Sequence, residues 1–161
     1  MNLIVLLFIW DIERSNWLSL YMIRKIKKYD LEQVLNIWLE TSIVAHNFIE
    51  RNYWVSKLND MKNIYIPNSE TYVYESETDI YGFFSLSENI LAAIFVKPDQ
   101  QGRGIGTKLL QKAKELRNEL RLTVYRENSK SVLFYEKAGF RYVKEQKDEN
   151  TGHLEIIMQW P

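Results

Sequence analysis

The fold is decided by the stretch Val96-Lys97-Pro98-Asp99-Gln100-Gln101-Gly102-Arg103-Gly104-Ile105-Gly106-Thr107-Lys108-Leu109-Leu110. An apolar run at residues 90–96 precedes it, and a segment of helical periodicity, residues 105–119, follows it. Gly102 and Gly104 allow the backbone to approach an anion closely, because no Cβ stands in the way. The N-terminus of the predicted helix adds unpaired N–H groups and a partial positive charge. The stretch therefore predicts a binding site for a phosphate-bearing ligand.

Three phosphate-binding patterns can be compared with this loop. A Walker A loop requires Gly-x-x-x-x-Gly-Lys-Ser/Thr, whereas here Gly106 is followed by Thr107 and then Lys108. A dinucleotide-binding fingerprint requires Gly-x-Gly-x-x-Gly, which glycines at alternate positions do not match. The third pattern, Gln/Arg-x-x-Gly-x-Gly/Ala, is matched in full by residues 101–106. Within it, Arg103 supplies a fork of donors suited to phosphate oxygens.

Length and composition limit the classes of protein and site. A chain of 161 residues with 46% hydrophobic residues predicts one globular domain, which we place at residues 22–161. Because 21 Lys+Arg balance 21 Asp+Glu, we expect neither nucleic acid nor a membrane as partner. The absence of cysteine excludes a Cys-linked acyl intermediate and is compatible with a cytoplasmic location. With His46 and His153 as the only histidines, we expect no metal site.

The N-terminal residues carry a separate signal. Residues 3–10 form an unbroken apolar run, which is far shorter than the roughly 20 residues of a membrane-spanning helix. The run also lacks the basic flank and the cleavage site of a signal peptide. A regular pattern restarts at Met22, so we expect residues 1–21 to be an extension outside the fold, as translation from an upstream start would produce. An added strand and a partner-binding segment are the alternatives.

The rest of the chain alternates between strand and helix patterns. Strands are predicted at 22–27, 71–75, 80–87, 91–96, 120–126, 140–145 and 154–160, and helices at 31–45, 50–63, 105–119 and 131–138. Asp30 is the predicted N-cap of the first helix. Gly82 indicates a bulge or a close approach inside its strand, and Gly139 is placed where a left-handed residue ends the last helix.

A second segment is as distinctive as the glycine loop. It reads Asn128-Ser129-Lys130-Ser131-Val132-Leu133-Phe134-Tyr135-Glu136-Lys137-Ala138-Gly139-Phe140. Together the two segments resemble the GNAT superfamily of N-acetyltransferases, whose second hallmark is Asn-x-x-Ala-x-x-Phe-Tyr-x-x-x-Gly-Phe. Ser131 departs from the usual Ala. The resemblance covers residues 22–160 and implies a mixed α/β (α+β) three-layer sandwich, with a twisted, mostly antiparallel sheet splayed between its central strands at 91–97 and 120–126.

A narrower resemblance concerns the acceptor. Parts of residues 37–54, together with 91–96, 124–125 and 158–160, are similar to the YiaC/YjaB-type bacterial branch, which is associated with peptidyl-lysine N-acetylation. This implies an enzyme that moves an acetyl group from acetyl-CoA to a primary amine, with a protein lysine as the leading acceptor, by direct attack in a ternary complex. The alternatives are an acetyltransferase for an amino acid, polyamine or aminoglycoside, and a non-catalytic acyl-CoA-binding module. A monomer or homodimer is expected.

The resemblance also implies roles for individual residues. Tyr135 is the expected general acid, because a phenol with a pKa of about 10 suits protonation of a thiolate. A lysine amine is only ~0.04% neutral at pH 7, a deficit of ~4.6 kcal/mol, so a base or water chain is expected. Glu88, His46 and Glu50 are the candidate bases, and a water relay is the alternative.

The remaining expected contacts are with the cofactor and the acceptor. A backbone N–H near Ile94 or Phe95 is expected to meet the developing oxyanion. The predicted cofactor-binding residues are Ile94, Phe95, Val96, Gln101, Gly102, Arg103, Gly104, Ile105, Gly106, Thr107, Asn128, Phe134, Tyr135 and Lys137. Asn128 is expected to bond the cofactor arm, to cap its helix, or both. The predicted lining of the acceptor pocket is His46, Phe48, Tyr53 and Trp54.

Overall fold

The computed structural model describes residues 21–161, so all but the last residue of the predicted extension at 1–21 lies outside the described residues. Seven strands are present: β1 (Tyr21–Lys25), β2 (Glu70–Ser76), β3 (Asp79–Ser87), β4 (Ile90–Val96), β5 (Leu120–Tyr125), β6 (Arg141–Lys147) and β7 (Leu154–Trp160). The main helices are α1 (Leu31–Ala45), α2 (Arg51–Ser56), α3 (Ile105–Glu115) and α4 (Ser129–Lys137). Short helical turns cover Lys28–Asp30, Leu58–Asp60, Met61–Tyr65 and Pro98–Gln100. Every predicted strand is confirmed, with β1 beginning at Tyr21.

The strands form one sheet in the order β1-β2-β3-β4-β5-β7-β6. All neighbouring pairs are antiparallel except β4 and β5, which are parallel and pair only through Ile90 and Arg121. The Arg121 N–H also donates to the Asn89 carbonyl at 2.8 Å. Beyond this point the two strands pair no further, so the sheet opens toward their carboxyl ends. The predicted split between the central strands is confirmed.

Helices cover both faces of the sheet and bury two apolar clusters. On one face α3 and α4 pack over buried side chains that include Phe84, Leu109 and Met158. On the other face α1 packs over a cluster that includes Val34 and Phe83. Burial of apolar area contributes about 25 cal/mol per Å², so these clusters dominate the stabilisation of the fold. The predicted three-layer arrangement is confirmed.

Gly82 lies in β3 where α3 and β4 come close to the strand. A Cβ on this residue would lie 2.7 Å from the Phe95 carbonyl oxygen and 3.0 Å from Leu109 Cδ1. The pairing of β2 with β3 also changes register between Tyr74 and Glu75, opposite this glycine. Both the predicted close approach and the predicted bulge are therefore present.

Asp30 precedes α1, as predicted, but it makes no side-chain cap. Its carboxylate accepts hydrogen bonds from Arg24 at 2.7 and 3.0 Å and from the Lys27 N–H at 2.7 Å, while Arg24 also pairs with Glu75 at 2.8 Å. Burial alone would raise the pKa of Asp30, yet the hydrogen bonds from Arg24 and Lys27 outweigh it and lower that pKa. Asp30 thus occupies the predicted N-cap position, but its carboxylate holds Arg24 of β1 instead of capping the helix, and Arg24 in turn joins β1 to Glu75 of β2.

Two predicted helices differ from the observed ones by more than two residues, and the helix predicted at 131–138 is observed at Ser129–Lys137. The predicted helix 105–119 ends at Glu115, because the side chain of Arg117 donates to the carbonyls of Leu116 and Glu88 and fixes the turn into β5. The predicted helix 50–63 is divided into α2, a short α-helical turn at Leu58–Asp60 and a wider π-helical turn at Met61–Tyr65. The periodicity identified both segments, and tertiary contacts set their ends.

Candidate active site

The free edge of β4 forms one wall of the split. The Phe95 carbonyl faces β3, and the Lys97 N–H donates to the Tyr81 carbonyl on that same strand at 2.8 Å. Because the backbone N–H and C=O groups of successive residues point to opposite edges of a strand, those of Ile94 and Val96 face the split. Of the two N–H groups predicted to meet the oxyanion, the pairing pattern thus favours Ile94, while the backbone of Phe95 is directed to β3.

The Val96 carbonyl at the end of β4 has side-chain partners instead of a strand. It accepts hydrogen bonds from Thr41 Oγ1 at 3.3 Å and from Gln101 Nε2 at 3.0 Å. The Gln101 side-chain oxygen, Oε1, in turn accepts from Lys130 Nζ at 3.2 Å. Lys130 lies in the first turn of α4 and places a cation beside the glycine loop. Sequence reasoning missed this lysine, because it stands at a variable position of its motif.

The glycine loop has the geometry that the sequence predicted. Gly102 and Gly104 have φ angles of +75° and +80°, and a Cβ on either would meet no described atom within 4 Å. Glycine is therefore required by the backbone angle. Gly104 is the N-cap of α3 and has no side chain to bond the N–H groups of the first turn. Those N–H groups, from Ile105 to Thr107, remain available to an anion, as does the exposed Arg103.

Two residues with predicted functions, Asn128 and Tyr135, lie at the start of α4 and within it. Asn128 caps the helix, since its side-chain oxygen accepts from the Ser131 N–H at 3.2 Å. Tyr135 is 9% exposed and packs edge-on against Phe134 and Phe140. Within residues 21–161 its hydroxyl has no hydrogen-bond partner, and burial raises the pKa of Tyr135 well above 10. The phenol is therefore a protonated group with a free hydroxyl.

The two other cofactor residues predicted on α4 differ in their surroundings. Phe134 lies 3.6 Å from the position that a Cβ on Gly106 would take, so α4 contacts the start of α3. Lys137 is exposed in the last turn, about two turns away from Lys130. Phe134 is thus beside the glycine loop, whereas Lys130 is nearer to the loop than the predicted Lys137.

The structure brings together the four residues predicted to line the acceptor pocket. The His46 ring stacks on Trp54 with centroids 5.1 Å apart and meets Phe48 edge-on at 5.8 Å. Tyr53 meets Trp54 edge-on at 5.1 Å. Tyr125, at the end of β5, joins the group with its ring 5.2 Å from His46. We call these five rings the aromatic wall.

An acidic residue that the sequence did not single out, Asp148, adjoins the aromatic wall. The Tyr125 hydroxyl donates to Asp148 at 2.6 Å, and Asp148 also accepts from Thr151 and the Asn150 N–H. Burial raises the pKa of Asp148, but these hydrogen bonds outweigh it and lower that pKa, so the carboxylate stays charged. His153 packs on Phe48. The sequence signal was the Asp-x-Asn-Thr pattern of the polar turn, which is typical of an Asx turn.

The three candidate bases lie in different surroundings. Glu88 is exposed in the β3–β4 turn with a φ of +51°, at the joined end of the split. Glu50 is exposed and precedes α2. His46 alone belongs to the aromatic wall, where burial lowers its pKa to about 4. The structure therefore does not bring Glu88 and His46 to one place, since β4 separates the Glu88 turn from the open end.

Two other kinds of site are absent from residues 21–161. No group of three or more His, Asp or Glu side chains there could hold a metal ion. In the same part of the chain, no helix combines the length and the apolar character needed to cross a membrane.

Comparisons with known sequences match the same region. The family model described as the acetyltransferase (GNAT) domain matches residues 67–142. The chain is 35% identical over 141 residues to the peptidyl-lysine N-acetyltransferase YiaC of Escherichia coli strain K12, which covers 87% of the chain and 97% of YiaC. It is 29% identical over 131 residues to the peptidyl-lysine N-acetyltransferase YjaB of the same strain, covering 81% of the chain and 88% of YjaB.

Solved structures share the fold over nearly their whole length. The solution structure of apo-form YjaB from Escherichia coli superposes with a TM-score of 0.76 at 26% identity, covering 87% of this chain and 97% of that one. The PaiA N-acetyltransferase of Thermoplasma acidophilum, solved in complex with coenzyme A, superposes with a TM-score of 0.71 at 23% identity, covering 86% and 97%. At 23% identity, the similarity to the Thermoplasma acidophilum protein shows a shared fold only.

Proposed function

The chain belongs to the GNAT acetyltransferase family, and we propose that it acetylates the ε-amine of lysine side chains in proteins. It is an acetyl-CoA-dependent N-acetyltransferase. The observation that carries the lysine acceptor is the 35% identity to YiaC, a peptidyl-lysine N-acetyltransferase, over 97% of that protein. The cysteine-free sequence is compatible with a cytoplasmic enzyme. That location and a monomeric or homodimeric state stay predictions.

The glycine loop and its neighbours are proposed to hold the pyrophosphate of acetyl-CoA. The left-handed Gly102 and Gly104 and the uncapped first turn of α3 support this, because they turn backbone N–H groups toward one point. Arg103 and Lys130 add positive charge at the loop. When bound, acetyl-CoA supplies an activated thioester. The free edge of β4 offers the Ile94 backbone groups and the Val96 N–H to its extended arm.

Tyr135 is proposed as the general acid and the Ile94 N–H as the oxyanion donor. The Tyr135 hydroxyl, which has no hydrogen-bond partner within residues 21–161, supports the first role, and burial raises the pKa of Tyr135, so the phenol is protonated at neutral pH. Ile94 has no partner on the β5 side of its strand, and this supports the second role, because its N–H can donate to negative charge that develops on the thioester oxygen. Without a cysteine, direct attack by the amine in a ternary complex is the route that the side chains allow.

The lysine ammonium must lose a proton before it attacks, and we propose that water carries it away. Glu88 is exposed at the joined end of the split, and Glu50 is exposed just before α2. His46 has a pKa lowered to about 4 and is therefore a weak base at neutral pH. The charged Asp148 next to Tyr125 supports an entry path for a cationic side chain along the wall.

A panel of amines tests the acceptor. Thiol release from acetyl-CoA is measured with an N-terminally blocked peptide that contains one lysine, with its Lys→Arg counterpart, and with free lysine, spermidine and an aminoglycoside. We expect turnover with the lysine peptide and none with the arginine counterpart. Turnover confined to the free amines would contradict the protein acceptor. Binding of acetyl-CoA without turnover on any amine would contradict catalysis itself.

A further inference from the structure

A hydrogen bond between His46 and Asn128 joins the two sides of the open split. His46 follows α1, which packs on β3 and β4, whereas Asn128 precedes α4, which packs on β5. The His46 Nε2 and the Asn128 Nδ2 lie 3.3 Å apart. Because β4 and β5 pair only at the opposite end of the split, this bond connects parts of the molecule that the sheet leaves separate.

Three hydrogen bonds link Ser42, His46, Asn128 and Ser131 in a row, and the two backbone groups at the ends of the row fix the direction of all three. The Ser42 carbonyl can only accept, so the His46 Nδ1, at 3.1 Å, carries a hydrogen and donates to it. The Ser131 N–H can only donate, so the Asn128 side-chain oxygen faces it and the amide nitrogen faces His46. The neutral His46 ring therefore accepts at Nε2. The row runs from the first turn of α4 to the last turn of α1.

This arrangement leaves no lone pair on His46 for a substrate proton. A proton on Nε2 would face the Asn128 amide, which is itself a donor. If the amide turned over to accept that proton, its nitrogen would face the Ser131 N–H and the cap of α4 would be lost. Burial among aromatic rings opposes the charge as well, in line with the pKa of about 4.

The groups around the His46 ring do not offset the cost of placing a positive charge on it. Trp54 from α2 stacks on the ring, and Phe48 and Tyr125 meet it edge-on. Two carboxylates adjoin these rings: Asp148 accepts from the Tyr125 hydroxyl, and Glu127 is paired at 2.9 Å with His153, which packs on Phe48. Among the described residues, neither carboxylate is hydrogen-bonded to His46.

We infer that His46 is a positioning residue, which acts through Asn128 to hold the first turn of α4, and hence Tyr135, against α1 across the split. The inference rests on the proposed role of Tyr135. Tyr135 lies seven residues after Asn128, about two helical turns along α4. The far end of α4 is held separately, since Lys114 donates to the Ala138 carbonyl. His46 therefore supplies one of two polar anchors of α4 from the other side of the split, the other being the exposed hydrogen bond between Lys130 and Gln101.

Two substitutions distinguish a positioning residue from a base. His46→Gln cannot take up a proton at any assay pH, but its side-chain oxygen can accept from the Asn128 amide. His46→Phe keeps an aromatic ring in the wall and removes both hydrogen bonds. We expect His46→Phe to lower kcat about 10- to 30-fold, because misplacement of a catalytic group by a fraction of an ångström is costly. We expect His46→Gln to recover kcat to within about threefold of wild type. Equal losses of about 100-fold or more in both variants, which removal of a base produces, would overturn the inference.

A readout that is independent of turnover completes the test. NMR titration of the full-length protein should show a neutral His46 ring with the hydrogen on Nδ1 down to pH 5.5. Asn128→Asp keeps a good N-cap but turns a carboxylate toward Nε2, so the His46 pKa should rise in this variant. A wild-type ring that titrates near pH 6.5, or an unmoved His46 pKa in Asn128→Asp, would refute the contact. If no amine is acetylated, the proposed function fails while this titration still decides the hydrogen-bond arrangement.

Discussion

Replacing Tyr135 with Phe removes one hydroxyl and leaves the ring in place. Phe134 and Phe140 contact the ring, and the hydroxyl has no partner within residues 21–161. Loss of a hydroxyl is costly when a buried partner is left unpaired, which is not the case here. We therefore expect the free energy of unfolding to change by less than about 0.5 kcal/mol.

The expected effect of Tyr135→Phe on turnover is much larger. General-acid catalysis contributes about 10²- to 10⁴-fold. A thiol with a pKa of about 8.5 leaves more readily than an alkoxide, so the low end applies and kcat should fall about 100-fold, or roughly 2.7 kcal/mol in the barrier. Because burial raises the pKa of Tyr135 above its ordinary value, the phenol stays protonated up to pH 9. A loss of activity between pH 7 and pH 9 should therefore not arise from this tyrosine.

Steady-state thiol release and calorimetric binding of coenzyme A separate catalysis from affinity. The affinity of Tyr135→Phe for coenzyme A should stay within about twofold of wild type, since ring packing is preserved. Tyr74→Phe is the matched control, because Tyr74 is a second buried tyrosine of the same apolar cluster but lies on β2. A decrease in kcat below threefold with intact affinity would refute the general-acid role. If kcat fell in Tyr74→Phe as much as in Tyr135→Phe, loss of any core hydroxyl would be enough to explain the lower turnover.

Three further predictions concern the loop and the fold. Gly104→Ala and Gly152→Ala impose the same strain at φ angles of +80° and +78°, so each should cost about 1 kcal/mol in denaturation, but only the first should weaken coenzyme A binding in calorimetry. Equal affinities would contradict the pyrophosphate loop. Lys114→Met should lower the free energy of unfolding in urea by about 1–2 kcal/mol, because the Ala138 carbonyl just after α4 loses its side-chain donor. An unchanged urea midpoint would contradict this. Asp30→Asn should cost about 3 kcal/mol at pH 7, since Arg24 loses a buried partner. The pKa of Asp30 is lowered by folding, so its stabilisation is present above about pH 4 and is lost as the pH falls through the folded value. The difference between wild type and Asp30→Asn should accordingly shrink at pH 2.5, and a constant difference would count against the ion pair.

The strands and the glycine loop could be predicted because their signals are local. Alternation identified β7 with its observed limits, and the positive φ angles of Gly102, Gly104 and Gly139 follow from motifs a few residues long. Helix ends were less predictable. The end of α3 depends on Arg117, whose partners lie on the β3–β4 turn and were not visible in the local pattern.

The side-chain contacts of the site could not be predicted in the same way. Gln101 meets Lys130, and His46 meets Asn128, across 29 and 82 residues of sequence. Each pair forms only because α4 follows β5 while its partner belongs to the β4 side of the split. The sequence therefore identified His46 as polar and near the acceptor, but the state of its two ring nitrogens depended on the fold.

The same contrast explains why the cofactor is better defined than the acceptor. The proposed cofactor contacts use backbone N–H groups of one loop and one strand edge, and a short glycine pattern is enough to encode them. The aromatic wall takes rings from the segment after α1, from α2 and from β5, and its neighbouring carboxylate comes from the β6–β7 turn. Substitutions in any of these four segments can change the acceptor while the glycine loop stays intact. Similarity over nearly the full length of YiaC is therefore stronger support for a lysine acceptor than the glycine motif, because it includes all four segments.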